Sequence, residues 1–222
     1  MIDEFLRIIC KLTIYDFNER YQHIQPRSSE LIEIASDYME QDLVARIGYF
    51  FRDRATYERQ YVKEIKANGK PKTGHNDLWV KSQDFRLEIK YPKTHKSDGG
   101  GEKNKLTWKQ HISPDFEWLQ KELLSGHKGK RAFVIGWFNI LEFNNLVQLG
   151  DRPGNSPLVD TSKEFYFPFI TFNQRTRRTD TIRFNYGIAD TYLSIDIPDF
   201  QETMQCVFLG KETDIFHFAI YF

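Results

Sequence analysis

A run of strictly alternating side chains constrains the fold of this chain more than any other feature. It covers residues 85–91 and has the two-residue period of a β-strand with one apolar and one polar face. Its apolar positions are Leu87, Ile89 and Tyr91, and its charged positions are Arg86, Glu88 and Lys90. Residues 77–81 are typical of a partner strand, and residues 82–84 of the turn between the two. The sequence therefore predicts a hairpin that buries one face.

The polar face of this hairpin brings carboxylates and an ammonium together. Glu88 and Lys90 are neighbours on it, and the twist of a hairpin would bring Asp77 towards Glu88. Carboxylate oxygens suit hard cations such as Mg²⁺, which proteins usually hold through one or two carboxylates plus water and phosphate. A cation held in this way lowers the pKa of a water and neutralises charge on a phosphate, and a nearby lysine adds positive charge.

Asp77, ten intervening residues and then Glu88-Ile89-Lys90 resemble the D-x(n)-(D/E)-x-K signature of the PD-(D/E)xK nuclease superfamily. The chain departs from that pattern at Asn76, which stands where the family name has a proline. The resemblance implies a restriction-endonuclease-like fold and a Mg²⁺-dependent nuclease, with Mn²⁺ as a substitute. It implies that Asp77, Glu88 and the Ile89 carbonyl bind the metal, and that Lys90 orients or polarises the attacking water.

Two helices are predicted before the hairpin, over residues 2–21 and 30–54. The first rests on the spacing of Phe5, Ile8, Ile9, Leu12 and Tyr15. The second has apolar residues at intervals of three and four, and Ser28 and Ser29 offer its N-cap.

Nucleases of this kind usually carry an acidic residue on a helix before the sheet, close to the metal. Glu40 is expected to be that residue here, because the apolar turn formed by Leu43, Val44 and Ile47 follows it. Glu33 is the alternative.

The remaining elements between residues 55 and 140 fit the same family. Residues 57–65 are ambiguous between helix and strand and are interpreted as a strand, and residues 68–74 as a turn. A later helix either includes residues 107–110 or starts at Ser113-Pro114. Residues 131–138 are nearly all apolar, as in a central strand covered on both faces. This order matches an αβββαβ core over residues 30–140.

The predicted architecture is thus α/β, with a nuclease-like core in residues 1–150. A β-rich C-terminal extension, packed on the same domain, is predicted for residues 151–222. Its expected antiparallel strands cover residues 164–172, 181–186, 192–197, 204–209 and 215–222.

Two basic groups are candidates for contacting phosphates. The glycine-rich segment after the hairpin carries Lys93, Lys96, Lys103 and Lys105, and a polar turn in the C-terminal part carries Arg175, Arg177 and Arg178. A solvated linker and a charged hairpin tip are the competing interpretations. The chain has 31 basic and 31 acidic residues, so binding to nucleic acid would depend on such local clusters rather than on net charge.

The sequence predicts a Mg²⁺-dependent endonuclease of the restriction or defence type, acting on DNA rather than RNA. The alternative is a non-catalytic module that binds nucleic acid or protein on a nuclease-like scaffold. Because many enzymes of this kind cut as dimers, a homodimer is a possible assembly of this chain. The two cysteines, Cys10 and Cys206, indicate neither a zinc site nor a disulfide framework. With no signal peptide or membrane span predicted, a cytoplasmic location is expected.

Overall fold

The computed structural model describes residues 2–51, 55–65, 71–92, 108–140, 158–197 and 200–222. For residues 58–65, 71–73 and 161–162 it describes the backbone alone. The helices are α1 (Ile2–Arg20), α2 (Ser29–Asp37), α3 (Glu40–Tyr49), α4 (Ser113–Leu124) and the short α5 (Thr161–Glu164). The strands are β1 (Ala55–Ile65), β2 (Pro71–Val80), β3 (Phe85–Lys90), β4 (Arg131–Phe138), β5 (Ile170–Thr171), β6 (Arg183–Phe184), β7 (Tyr192–Asp196), β8 (Thr203–Leu209) and β9 (Phe216–Tyr221).

Seven of these strands form one mixed sheet in the order β1-β2-β3-β4-β9-β8-β7. β3 and β4 run parallel, and the other neighbouring pairs run antiparallel. The three last strands therefore continue the sheet that the hairpin begins, and β5 and β6 pair separately. The predicted α/β class is confirmed.

The sheet is covered on both faces, which explains why its central strand β4 is buried along its whole length. Leu6, Leu31 and Leu43 of α1, α2 and α3 pack on one face with Ile89 and Val134. On the other face, α4 packs with aromatic residues of the segment between α5 and β6. The site described below lies where β3 ends between these two layers.

The hairpin predictions are largely confirmed. β1 covers the segment that was ambiguous, and it pairs antiparallel with β2. The predicted turn over residues 68–74 is too long, because β2 already begins at Pro71. A short 3₁₀ turn, Lys81–Gln83, joins β2 to β3, and Asp84 after it adopts a left-handed conformation with φ of 48°.

The single helix predicted over residues 30–54 is wrong. The structure has two helices there, α2 and α3, because Tyr38 and Met39 between them are not helical. Tyr38 leaves the helical region with ψ of 140°, and its ring contacts Tyr91 and Phe138 instead. The carboxylate of Asp42 then accepts a hydrogen bond from the Met39 N–H at 2.8 Å, which caps a new helix. The break makes Glu40 the first residue of α3.

Helix α1 exists as predicted, but it buries a different face from the one whose spacing indicated it. Phe5, Ile8, Leu12 and Tyr15 are exposed. Of the five residues that indicated the helix only Ile9 is buried, and the buried face consists of Leu6, Ile9, Cys10, Thr13, Ile14 and Phe17. Both faces are apolar enough to give helical periodicity, so the pattern did not identify the face that the sheet selects. None of the described helices has the length and apolar character needed to span a membrane.

Two predicted strands in the C-terminal part are mostly wrong. Residues 164–172 contain the end of α5, a series of turns and only the two-residue β5, and residues 181–186 contain only β6. The aromatic residues that suggested strands lie in turns, and their rings are nevertheless buried, as Phe167 and Phe169 show.

The later helix combines both predicted alternatives, since a π-helical turn at Trp108–Ile112 precedes α4.

His217 gives the fold a specific sensitivity to acid. It is fully buried in β9, and its Nε2–H donates to the Lys211 carbonyl at 2.9 Å. Burial lowers the pKa of the imidazole to about 4 in the folded protein, against about 6.5 when unfolded. Stability is therefore complete above pH ~6.5 and is lost as pH falls towards 4, by about 1.4 kcal/mol per pH unit.

We expect the wild-type free energy of unfolding to fall more steeply between pH 7 and pH 5 than that of His217→Gln. Urea unfolding at the two pH values measures both slopes. Other titrating groups cancel in the difference, so parallel slopes would contradict this role for His217.

Candidate active site

The site begins where β2 separates from β3. The two strands pair from Val80 opposite Phe85 as far as Leu78 opposite Leu87, and the register ends there. Beyond that point the Ile89 N–H donates to the Asp77 carboxylate at 2.6 Å. A side chain thus takes the place of a strand carbonyl, since a buried backbone N–H needs a partner. This separation opens the gap between the two strands in which the polar groups meet.

Glu88 lies in this gap and is held by Asn76. The Asn76 Nδ2–H donates to Glu88 Oε1 at 2.7 Å, and both side chains are buried. The Asn76 Oδ1 atom is also buried and has no hydrogen-bond partner among the described residues. Asp77 and Glu88, predicted as a pair from the sequence, therefore lie on either side of the same opening.

Lys90 ends β3 between two carboxylates that come from opposite layers of the fold. Its Nζ is 3.3 Å from Glu40 Oε1 and 3.4 Å from Asp115 Oδ2. It also lies 3.4 Å from the Ile89 carbonyl, which was expected to be a metal ligand. The ammonium is thus surrounded by three oxygen acceptors.

Glu40 and Asp115 both occupy the first turn of a helix. Glu40 starts α3 and also accepts a hydrogen bond from the Tyr91 N–H at 3.2 Å. Asp115 is the third residue of α4. Acidic side chains are stabilised there by the partial positive charge of the helix N-terminus. The alternative to Glu40, Glu33, is exposed on α2.

Asp115 is the site residue that the sequence analysis missed. A signal was present, because Ser113-Pro114 marks a helix start and places Asp115 in the first turn. The helix connects β3 to the parallel strand β4, so it must begin near the end of β3 where Lys90 lies. That reasoning finds the position without any motif.

Burial and mutual repulsion dominate the electrostatics of the site. Burial raises the pKa of the Asp77 carboxyl, against the opposing effects of Lys90 and the Ile89 N–H. Burial also raises the pKa of Glu88, and the charges of Asp77 and Asp115 raise it further. Burial alone would lower the pKa of Lys90, but the surrounding carboxylates together raise it. Four carboxyl groups thus surround a single ammonium, and burial and mutual repulsion favour the protonated form of Glu88.

The donor atoms suit a hard divalent cation rather than a soft one. In the part of the chain that the structure describes, no group of three or more His, Cys, Asp or Glu side chains is arranged to hold a metal ion. Mg²⁺, however, needs only one or two protein carboxylates and completes its shell with other oxygens. Asp77 and Glu88 provide such carboxylate oxygens at one opening, and the Asn76 Oδ1 atom is an oxygen acceptor beside Glu88. The residues present therefore fit Mg²⁺ or Mn²⁺.

A small cleft of about 150 Å³ opens beside this group and is lined by Glu40 and Asp77. A water molecule occupies about 30 Å³ in the liquid, so the cleft has room for several waters or a phosphate group. A larger groove of about 900 Å³ lies between α1, α2 and α3 and is lined by none of the predicted site residues. The candidate site and this larger groove are therefore in different places.

The predicted phosphate-binding residues have different outcomes. Lys93, Lys96, Lys103 and Lys105 lie outside the described residues. The C-terminal arginines are described: Arg178 binds Asp180, and Arg177 donates to the Val159 carbonyl at 3.0 Å. Arg175 is exposed on the same turn. A role of these residues in binding nucleic acid stays a prediction.

Comparison with known proteins assigns this site to no family. No family model matches the chain. No curated protein and no solved structure matches it either. The class that the described residues define is therefore a mixed α/β protein with a carboxylate–lysine site at a strand end.

Asp115→Asn removes one of the two carboxylates that hold Lys90. Because the Lys90 side chain is only 18% exposed, water cannot fully replace the lost partner. We expect the free energy of unfolding to fall by about 1–3 kcal/mol. In a Lys90→Met background Asp115→Asn should lower the free energy of unfolding by less, or should raise it. Urea unfolding of the four proteins of this double-mutant cycle measures the difference. Glu117→Gln, exposed on the same helix, is the control; equal costs in both backgrounds would contradict the coupling.

Gly136 allows α3 to lie close enough to the sheet for Glu40 to reach Lys90. A Cβ at this position would lie 2.8 Å from Leu43 Cδ2 of α3 and 2.8 Å from the Phe216 ring. Gly136→Ala should therefore push α3 outward and lower the free energy of unfolding by about 1–3 kcal/mol, measured by chemical denaturation. A Leu43→Ala/Gly136→Ala double variant should lose less than the two single losses combined; strict additivity would show that α3 is not the obstacle.

Proposed function

We propose that this protein is a metal-dependent nuclease of the PD-(D/E)xK type, with a restriction-endonuclease-like core. One observation carries the proposal. Asp77, Glu88 and Lys90 are the three residues of the sequence motif. All three lie near the point where β2 and β3 separate. An exposed hairpin with a solvated Glu–Lys pair would not bury a carboxylate, whereas Glu88 is buried and Asp77 is half-buried. A bound cation would stabilise the charged forms of these two carboxyl groups, whose pKa values burial otherwise raises.

In the proposed mechanism Asp77 and Glu88 would hold Mg²⁺ or Mn²⁺, together with the Ile89 carbonyl. A cation held there would supply acidity to a water and would neutralise charge on the scissile phosphate. Lys90 orients the attacking water or stabilises the developing negative charge. Glu40 and Asp115 hold the ammonium in position from α3 and α4. Rigid support of this kind limits the reorganisation needed during the reaction.

We propose DNA rather than RNA as the substrate, with the basic residues of the sequence as contacts to the phosphate backbone. These are Lys93, Lys96, Lys103 and Lys105, which follow the hairpin in sequence, and Arg175, Arg177 and Arg178 of the C-terminal turn. The chain carries equal numbers of basic and acidic residues, so its attraction to nucleic acid is local and should weaken with salt.

Cleavage of supercoiled plasmid and of a generic RNA tests this function. We expect nicking or linearisation of plasmid with Mg²⁺ or Mn²⁺ and none with EDTA. Lys90→Met and Asp77→Asn should each reduce the rate by at least about 100-fold, since each removes a group that acts on the reacting phosphate. The rates are measured from gel time courses.

Lys81→Met is the matched control, because Lys81 is exposed at the opposite end of the same hairpin. It should cleave like the wild type. Full cleavage by folded Lys90→Met or Asp77→Asn would overturn the assignment. A wild type that binds plasmid with the same affinity in EDTA, cuts nothing, and is unaffected by Asp77→Asn would support the non-catalytic binding module instead.

A further inference from the structure

Asn76 is a buried amide with only one of its two polar side-chain atoms hydrogen-bonded among the described residues. It is 1% exposed, and its Nδ2 donates to Glu88, but its Oδ1 atom has no partner among the described residues. Leaving a buried acceptor without a hydrogen bond destabilises the folded protein. Leucine has nearly the same shape and would fill the volume without that cost. Packing alone therefore gives no reason for an amide at this position.

The strand pairing gives no reason for it either. The ladder between β2 and β3 ends at Leu78, so the Asn76 side chain lies beyond the last paired position, next to Asp77. Its one described hydrogen bond is to Glu88, across the opening between the two strands. Buried polar groups without partners often mark places where a ligand or an ordered water belongs. The proline of the family pattern would provide neither of these two polar atoms.

We propose that Asn76 is a positioning residue of the metal site. Its Nδ2 fixes Oε1 of Glu88 and leaves Oε2 for the cation, and its Oδ1 accepts a hydrogen bond from a water that hydrates the cation. Outer-shell partners of this kind typically change metal affinity by 10–100-fold when removed. The inference rests on the proposed function, since it requires a cation at Asp77 and Glu88.

Calorimetric titration with Mn²⁺ in the absence of nucleic acid tests the inference without relying on cleavage. We expect Asn76→Leu to weaken Mn²⁺ binding by 10–100-fold while remaining folded, as judged by circular dichroism. Asn76→Ala is a second variant with the same expected direction, in case leucine does not fit.

Asn139→Leu is the matched control. Asn139 is equally buried and also has an Oδ1 without a partner among the described residues. Its Nδ2, however, donates to the carbonyls of Glu212 and Asp214 instead of to Glu88. Its replacement should lower the melting temperature and leave the Kd for Mn²⁺ unchanged.

The outcomes separate this inference from the function on which it rests. If the wild type binds Mn²⁺ and both folded Asn76 variants bind it with the same Kd, the proposed role of Asn76 is overturned and the metal site is not. Wild type that binds no Mn²⁺ would overturn the proposed metal site and this inference together. A loss of affinity in Asn139→Leu equal to that in Asn76→Leu would show a general effect of destabilisation and would also overturn it.

Discussion

The separation of β2 from β3 is the constraint on which the site depends. Where the ladder stops, the Ile89 N–H would be left buried without an acceptor, and the Asp77 carboxylate takes that role. One hydrogen bond thus satisfies the backbone of β3 and directs Asp77 towards Glu88. The same separation makes room for Asn76 and Glu88 to approach each other. A regular hairpin of the same sequence would leave these groups on the surface of the sheet.

Lys90 connects the two layers that cover the sheet. Its ammonium contacts Glu40 of α3 on one side and Asp115 of α4 on the other. The interruption between α2 and α3 therefore affects the site, because it creates the helix N-terminus at which Glu40 lies. A continuous helix would have placed Glu40 in its interior, without the partial positive charge that favours a carboxylate.

Sequence patterns predicted those parts of the fold and the site that are determined by residues close together in sequence. Alternation identified β3 and placed Glu88 beside Lys90, and the apolar run at β4 identified a central strand. The choice of helix face, in contrast, depends on packing: the apolar stripe through Leu12 faces solvent, because Leu6 and Phe17 lie on the side that meets the sheet. Asp115 joins the site through the crossover from β3 to β4, which is a property of topology. Turns that bury Phe167 and Phe169 have a composition that is indistinguishable from that of a strand.

The position of β9 has a consequence for how the protein is made. β9 pairs with β4 at the middle of the sheet, although it follows every other strand in sequence. During translation, all residues of the site leave the ribosome well before β9 does. In that interval the edge of β4 that faces away from β3 is unpaired, and β4 is strongly apolar, which invites association with other chains. The sheet that carries the candidate site is therefore completed late, and until then its open edge exposes the chain to aggregation.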